Sequence, residues 1–238
     1  MQLQEFSKEL KEKAKLINIE LEENQIKKFY NYMNLLLEWN EKINLTAITE
    51  PNEIILKHFI DSITILKYIE NNMKVVDVGT GAGFPGIPLN IVNTNVNYTL
   101  VDSLNKRINF LNEVIEKVDL KNINTVHSRI EDFAKNNKET FDIATSRAVA
   151  SLNILLEYLL PLVKIGGICI CMKGSNAKEE IESASKALEI LGGKIEKVEE
   201  ITLPESNIVR NIIIVRKIKS TPNKYPRKAG MATKEPII

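Results

Sequence analysis

Hydrophobic positions recur at helical spacing through the first seventy residues. Leu3, Phe6, Leu10, Ala14 and Ile17 form one stripe, and Ile26, Phe29, Met33, Leu36 and Leu37 form another. Pro51 stands where a third helix would open, running through Ile60 and Ile63. These stripes read as packing faces for a core. From Met73 the pattern changes: Val75-Val-Asp-Val78 is a short apolar run that stops at a glycine cluster, as a buried parallel strand does. Strand-like runs follow at 98–102, 123–126, 141–145 and 165–172. Helical stripes separate them, led by Ile108 and Leu111, by Leu152 and Leu156, and by Ile181 and Leu188, the last closed by Gly192-Gly193. Such alternation predicts right-handed crossovers and a parallel sheet. Two further strands, 194–202 and 207–218, are joined by a short turn through Pro204, so one strand runs antiparallel. The expectation is an α/β fold with a seven-stranded, mostly parallel sheet. It divides into a helical extension (1–70), a core (71–219) and a basic tail (220–238).

The net charge of +1 says little by itself, but its distribution is uneven. Residues 216–238 carry seven Lys/Arg and one Glu, which leaves residues 1–215 at −5. Lys224, Tyr225, Arg227 and Lys228 within that stretch are candidates for RNA backbone contact and base stacking, or else form a solvated end. The two cysteines, Cys169 and Cys171, share one face of a predicted strand, a poor geometry for a disulfide, and read as small buried hydrophobes in a reduced compartment. With two histidines in the chain, no zinc cluster is expected. The N-terminus is polar and no run approaches a membrane span, which points to a cytoplasmic protein. With no obvious extra apolar stripe, a monomer is expected.

The sharpest chemical signal is Asp77-Val-Gly79-Thr-Gly81-Ala-Gly83-Phe84-Pro85-Gly86. Glycines at a strand-to-helix turn let the backbone approach a ligand closely. Gly81-x-Gly83-x-x-Gly86 also fits a dinucleotide fingerprint. The longer Asp77-x-Gly79-x-Gly81-x-Gly83 resembles the S-adenosylmethionine-binding motif of class I methyltransferases, and Pro85 removes an N–H where a pyrophosphate would want one. Asp102, ending the next strand 19 residues after Gly83, can accept a ribose diol or can serve as a helix N-terminal acid before Asn105-Lys106-Arg107. Ile130 and Glu131 follow the third strand, where such folds line an adenine pocket; Glu131 could equally be a solvated acid.

Further landmarks are Trp39-Asn-Glu-Lys-Ile-Asn44-Leu-Thr46, His58-Phe-Ile-Asp61-Ser62 and Asp102-Ser-Leu-Asn-Lys106-Arg107. Later come Ser146-Arg147-Ala148-Val149, Met172-Lys173-Gly174 and Lys224-Tyr-Pro226-Arg227-Lys228-Ala-Gly230. Together they resemble the bacterial 16S ribosomal RNA guanine-N7 methyltransferases, also called glucose-inhibited division protein B. The resemblance implies a Rossmann-like class I methyltransferase fold, S-adenosylmethionine as donor and no metal. It implies as acceptor one guanine in 16S RNA, within the small subunit or an assembly intermediate. Carried over by position, the donor site comprises Gly79, Phe84, Asp102, Ile130, Glu131 and Arg147, with Gly81 and Gly83 in the loop. Ile130 stands where the family has a small residue, leaving a backbone contact.

The predicted fourth strand ends in Thr145-Ser-Arg147, with neither an Asn/Asp-Pro-Pro-aromatic turn suited to exocyclic amines nor a Pro-Cys nucleophile for pyrimidine carbon. Guanine N7 needs neither device. Arg147 is expected to orient donor or guanine, or else to pair structurally with Asp77 or Glu131. His58 and Asp61, three apart on one helix face, would brace the N-terminal segment against the site or supply a base. Lys173 is a candidate phosphate contact. Two other readings stay open: a small-molecule methyltransferase, and a non-enzymatic ribosome-assembly factor on the same fold.

Overall fold

A computed structural model describes every residue except Ala148 and Asn176. Its seven strands are β1 (Lys74–Val78), β2 (Asn97–Asp102), β3 (Ile123–His127), β4 (Phe141–Arg147), β5 (Val163–Lys173), β6 (Gly193–Thr202) and β7 (Val209–Lys217). They form one sheet in the order β3-β2-β1-β4-β5-β7-β6, parallel except where β7 pairs antiparallel with β5 and β6. The strand order reverses between β1 and β4, so their carboxyl ends flank the crevice where open α/β sheets bind ligands. Registers align those ends: Asp77 lies opposite Leu100 and Thr145, and Asp102 opposite His127.

Helices α1 (Leu3–Leu16) and α2 (Glu23–Asn40) carry the predicted apolar stripes. A capping box of Glu22 and Gln25 starts α2. Phe6, Phe29, Tyr32, Phe59, Phe84 and Phe110 come from both the extension and the core, yet they pack as one aromatic cluster. Each buried aromatic contributes about 2–3 kcal/mol of hydrophobic stabilisation, so residues 1–70 share the core's apolar layer. Pro51 opens α3 (Pro51–Ile54) as predicted. The predicted helical run then changes pitch: a π-helical turn (Ile55–Ile60) precedes α4 (Asp61–Ile63). The wider turn aims His58 and Asp61 at one arginine, a use of π turns that clusters at functional sites.

The crossover helices are α5 (Gly86–Val92), α6 (Asn105–Lys117), α7 (Ile130–Asn136) and α8 (Leu152–Leu159). The predicted 181–191 helix is broken into α9 (Ala177–Ser183) and α10 (Ser185–Leu191), the second ending at Gly192 with φ +86°. A side chain at Gly192 would meet the Lys219 carbonyl at 2.2 Å, so this helix end accepts glycine alone. After β7 the chain returns across α8 to the short α11 (Met231–Lys234), burying Tyr225, Ala232 and Ile237 in the core beside α8. No described helix is long and apolar enough to cross a membrane.

Candidate functional site

The loop after β1 turns on three glycines with positive φ: Gly79 (+66°), Gly81 (+62°) and Gly83 (+99°). Gly81 lines a cleft of about 460 Å³, and a side chain there would find no neighbour closer than 4.0 Å. Its bare backbone therefore leaves the cleft open to a ligand. At Gly86 the requirement is packing, since a Cβ would meet Leu100 at 2.2 Å.

Asp77 is buried beneath this loop. Its Oδ2 accepts from the Gly86 N–H at 2.9 Å and the Thr80 hydroxyl at 2.7 Å, while Oδ1 has no partner among the described residues. Desolvation pushes its carboxyl up to about 6. The first N–H of α5 is thus spent on a carboxylate, and Pro85 offers none. A pyrophosphate would find neither donor, which weighs against the dinucleotide reading of these glycines.

Asp102 is buried at the same edge. Its Oδ2 accepts from Gly81 N–H at 2.9 Å and from Arg107 at 3.3 Å; its Oδ1 accepts from Leu104 N–H at 2.9 Å. It anchors the glycine loop and starts α6 at once, so both sequence readings apply to one carboxylate. A lone pair remains for a ligand hydroxyl. Asp102 also borders a smaller recess of about 170 Å³ lined by Ser128, Ile130, Glu131 and Tyr158. Glu131 is only 6% exposed, which is not the setting of a solvated acid. Its Oε1 accepts from the Gly230 N–H at 3.0 Å.

Phe84 and Arg147 form the opposite wall. The Phe84 ring stacks on His58 at 4.3 Å between centroids, and the Arg147 guanidinium lies over the same ring at 5.0 Å. Arg147 donates to the Lys57 carbonyl at 2.9 Å, to Asp61 at 3.2 Å and to His58 Nδ1 at 3.2 Å. The expected structural pairing with Asp77 or Glu131 does not form; the partner is Asp61. Arg210 donates through Nε to both Asp61 oxygens, at 3.2 and 3.1 Å. His58 and Asp61, expected on one helix face, are joined through Arg147. Because Arg147 donates to Nδ1, His58 is the tautomer with hydrogen on Nε2, which it donates to Thr46 Oγ1 at 2.8 Å. Burial, with Arg147 beside it, pushes the His58 pKa down to about 3, so the ring is neutral.

His58 and Arg147 also line a third cleft, of about 380 Å³, with Lys57, Lys173, Gly174 and Arg210. The first cleft shares Gly79 and Asp102 with the small recess, and His58 and Arg147 with the third cleft. Lys173 borders the third, but its ammonium is buried and committed to the Ala150 carbonyl at 2.5 Å and Glu180 at 2.6 Å. Arg227 is likewise taken by Glu157, and Tyr225 is buried. Of the tail candidates, Lys224 and Lys228 are exposed. Ala148, within the Ser146 to Val149 landmark, lies outside the described residues. No group of three or more His, Cys, Asp or Glu able to hold a metal occurs among the described residues.

The model of the GidB family, described as rRNA small subunit methyltransferase G, matches residues 25–209. This chain belongs to that family. Among curated relatives, "Ribosomal RNA small subunit methyltransferase G" of Acetivibrio thermocellus is 54% identical, over 97% of this chain and 98% of the relative. The protein of that name from Desulforamulus reducens is 52% identical over 96% and 97%. Among solved structures, a SAM-dependent methyltransferase from Aquifex aeolicus superposes with TM-score 0.52 at 20% identity, covering 76% of this chain and 98% of that one. M. jannaschii TYW2, solved with AdoMet, gives TM-score 0.52 at 18% identity, over 66% and 74%. These two establish the class I methyltransferase fold.

Three residues that shape or support the walls of the site had no role in the sequence reading. Thr46 stood inside a quoted landmark without a role, although Asn40 Oδ1 holds its loop by accepting from the Leu45 and Thr46 N–H groups at 2.8 and 3.0 Å. Arg210 sits in a β-strand pattern that gives no sign of its pairing with Asp61, 149 residues away. Glu157 carried a readable signal, being a lone acid within Leu155-Leu156-Glu157-Tyr158-Leu159.

Proposed function

We propose that this protein transfers a methyl group from S-adenosylmethionine to N7 of a guanine in small-subunit ribosomal RNA. Family membership over most of the chain supports the reaction class and the RNA. The observation that carries the acceptor atom is the commitment of every candidate base beside Arg147. His58 is neutral, with Nδ1 accepting from Arg147 and Nε2 donating to Thr46, and Asp61 is held by two arginines. Neither group is free to remove a proton. Guanine N7 has none to lose, whereas an exocyclic amine does. The two thiols are equally unsuited to attack on a pyrimidine ring. Both are fully buried in β5, and burial raises both, Cys171 to about 12.

The residues present fit the donor. Gly81 leaves room along the backbone, Asp102 keeps acceptor capacity for a ribose hydroxyl, and Glu131 and Tyr158 wall a recess suited to the adenine end. When bound, S-adenosylmethionine supplies an electrophilic methyl whose bond to sulfur breaks as the bond to nitrogen forms. The protein's part is position and exclusion of water. Phe84 and His58 present a stacked apolar wall, and Arg147, fixed by four partners, stands between the donor cleft and the basic third cleft where the RNA base would enter. Its guanidinium can donate to guanine O6 or to phosphate without exchanging a proton.

The test is transfer from tritiated S-adenosylmethionine to 30S subunits that lack the modification, followed by digestion to nucleosides. Label in 7-methylguanosine is expected. Label in a methylated amine, a ribose or a pyrimidine would overturn the assignment.

A further inference from the structure

The basic C-terminal segment invites the reading of a free RNA-binding tail, but its central residues face inward. Arg227 makes four hydrogen bonds to one carboxylate. Its backbone N–H and Nε reach Glu157 Oε1, both at 2.9 Å, while Nε and Nη2 reach Oε2 at 3.2 and 2.7 Å. Glu157 is 1% exposed, and no other hydrogen bond to it occurs among the described residues. Three residues on, the Gly230 N–H meets Glu131 Oε1 at 3.0 Å. Among the described residues that too is the only hydrogen bond Glu131 accepts. Gly230 sits at φ +82° with no atom within 4 Å of where a Cβ would stand, so glycine is there for the turn that aims this N–H.

The two carboxylates lie on the two helices that wall the 170 Å³ recess. Glu131 in α7 lines it directly, and Glu157 precedes Tyr158, which lines it from α8. The Tyr158 hydroxyl is in turn 3.5 Å from the Thr233 hydroxyl. One short segment therefore holds both sides of the recess from behind. A buried carboxylate left without its partner would move towards water or take up a proton, and the wall it belongs to would move with it.

We infer that the segment from Tyr225 to Gly230 is a positioning element of the donor cleft. Arg227, through Glu157, and the Gly230 N–H, through Glu131, set the spacing of α7 and α8 for the adenosine end of the methyl donor. This rests on the donor reading above, and it assigns Arg227 to the donor rather than to RNA. The exposed Lys224 and Lys228 remain on the outer side of the same segment.

The test is calorimetric titration of the full chain, without RNA, with S-adenosylhomocysteine and with 5′-methylthioadenosine, which shares the adenosine but lacks the amino acid. Arg227→Gln is expected to weaken both ligands by the same factor, about tenfold. Adding Glu157→Gln is expected to restore most of the loss, because two amides can pair where a lone buried carboxylate could not. Arg227→Lys keeps the charge with fewer donors, and it should fall between wild type and Arg227→Gln even if Arg227→Gln folds poorly. Melting curves of the unliganded variants identify those that remain folded. Unchanged affinity in folded Arg227→Gln or Arg227→Lys would overturn the inference. So would a loss confined to S-adenosylhomocysteine, or a double variant that is folded and no better than the single one. A wild-type chain that binds neither ligand would instead overturn the donor reading itself.

Discussion

Arg147 is the residue on which the site converges, and its surroundings explain why an arginine serves there. A planar guanidinium can lie over Phe84 while its edges donate to Lys57, His58 and Asp61, a set of contacts that a lysine ammonium cannot make at once. Its charge also helps keep His58 neutral. The sign of the pH dependence follows: the native pKa of about 3 lies below the ordinary 6.5, so the unfolded chain binds a proton that the native one refuses. His58 thus contributes stability in full above pH 6.5, and that stability declines as pH falls towards 3. With only two histidines in the chain, proton NMR can follow the ring directly. The His58 resonance should stay flat from neutral pH down to about 5, and Arg147→Gln should move its titration upward, with burial still holding it below the ordinary value. Asp102 acts by a different route. Asp102→Ala removes the acceptor for two backbone N–H groups as well as the proposed ribose contact, so S-adenosylhomocysteine affinity should fall by about 10- to 100-fold in calorimetry, the range for losing a charge-assisted bond.

Among the elements, the π turn and the sheet edge do what neither could do alone. The turn at Ile55–Ile60 presents His58 and the Lys57 carbonyl, β4 presents Arg147, and β7 presents Arg210. Asp61 binds the three elements together. Asp61→Ala should lower stability by about 3 kcal/mol in urea denaturation, the low end of the range for breaking a buried pair, because both arginines retain some exposure. The element types were largely legible in the sequence, because periodicity separates helix from strand and the glycine cluster marks the first crossover. Gly192 and Pro51 took the cap positions assigned to them for the reasons given. Three things were not legible. The π turn has the same apolar spacing as a helix over so short a run. The break between α9 and α10 falls in a continuous helical stripe. The pairing of Asp61 with Arg210 depends on which strands become neighbours, and that is a property of the sheet order rather than of either segment.

At the scale of the whole molecule, the extension and the tail are fused to the methyltransferase core at opposite flanks of one crevice. The aromatic cluster joins α1 and α2 to the wall carrying Phe84, while Arg227 and the Gly230 N–H pair with Glu157 and Glu131 on the helices that wall the recess. The basic surplus read from the sequence survives only in part as surface charge. Lys217 is fully buried, Arg216 is paired with Glu196, and Arg227 is turned inward. The tail therefore offers fewer free cations than its composition suggests. Of the tail residues expected to contact RNA, only Lys224 and Lys228 are free to do so, and two phosphate contacts would give a slope of about −1.4 in log affinity against log salt, at about −0.7 each. Replacing both by Gln should reduce the measured slope by that amount in filter-binding titrations against 16S RNA. In the proposed reaction this crevice passes a methyl group to a nitrogen with no proton to lose, and neither His58 nor Asp61 acts as a base. The most direct measurement is the single-turnover rate of methyl transfer to 30S subunits as a function of pH. A rate that is flat between about pH 6 and about 8.5 is expected. A limb rising with pH through that window, and abolished by His58→Gln in a folded protein, would contradict it.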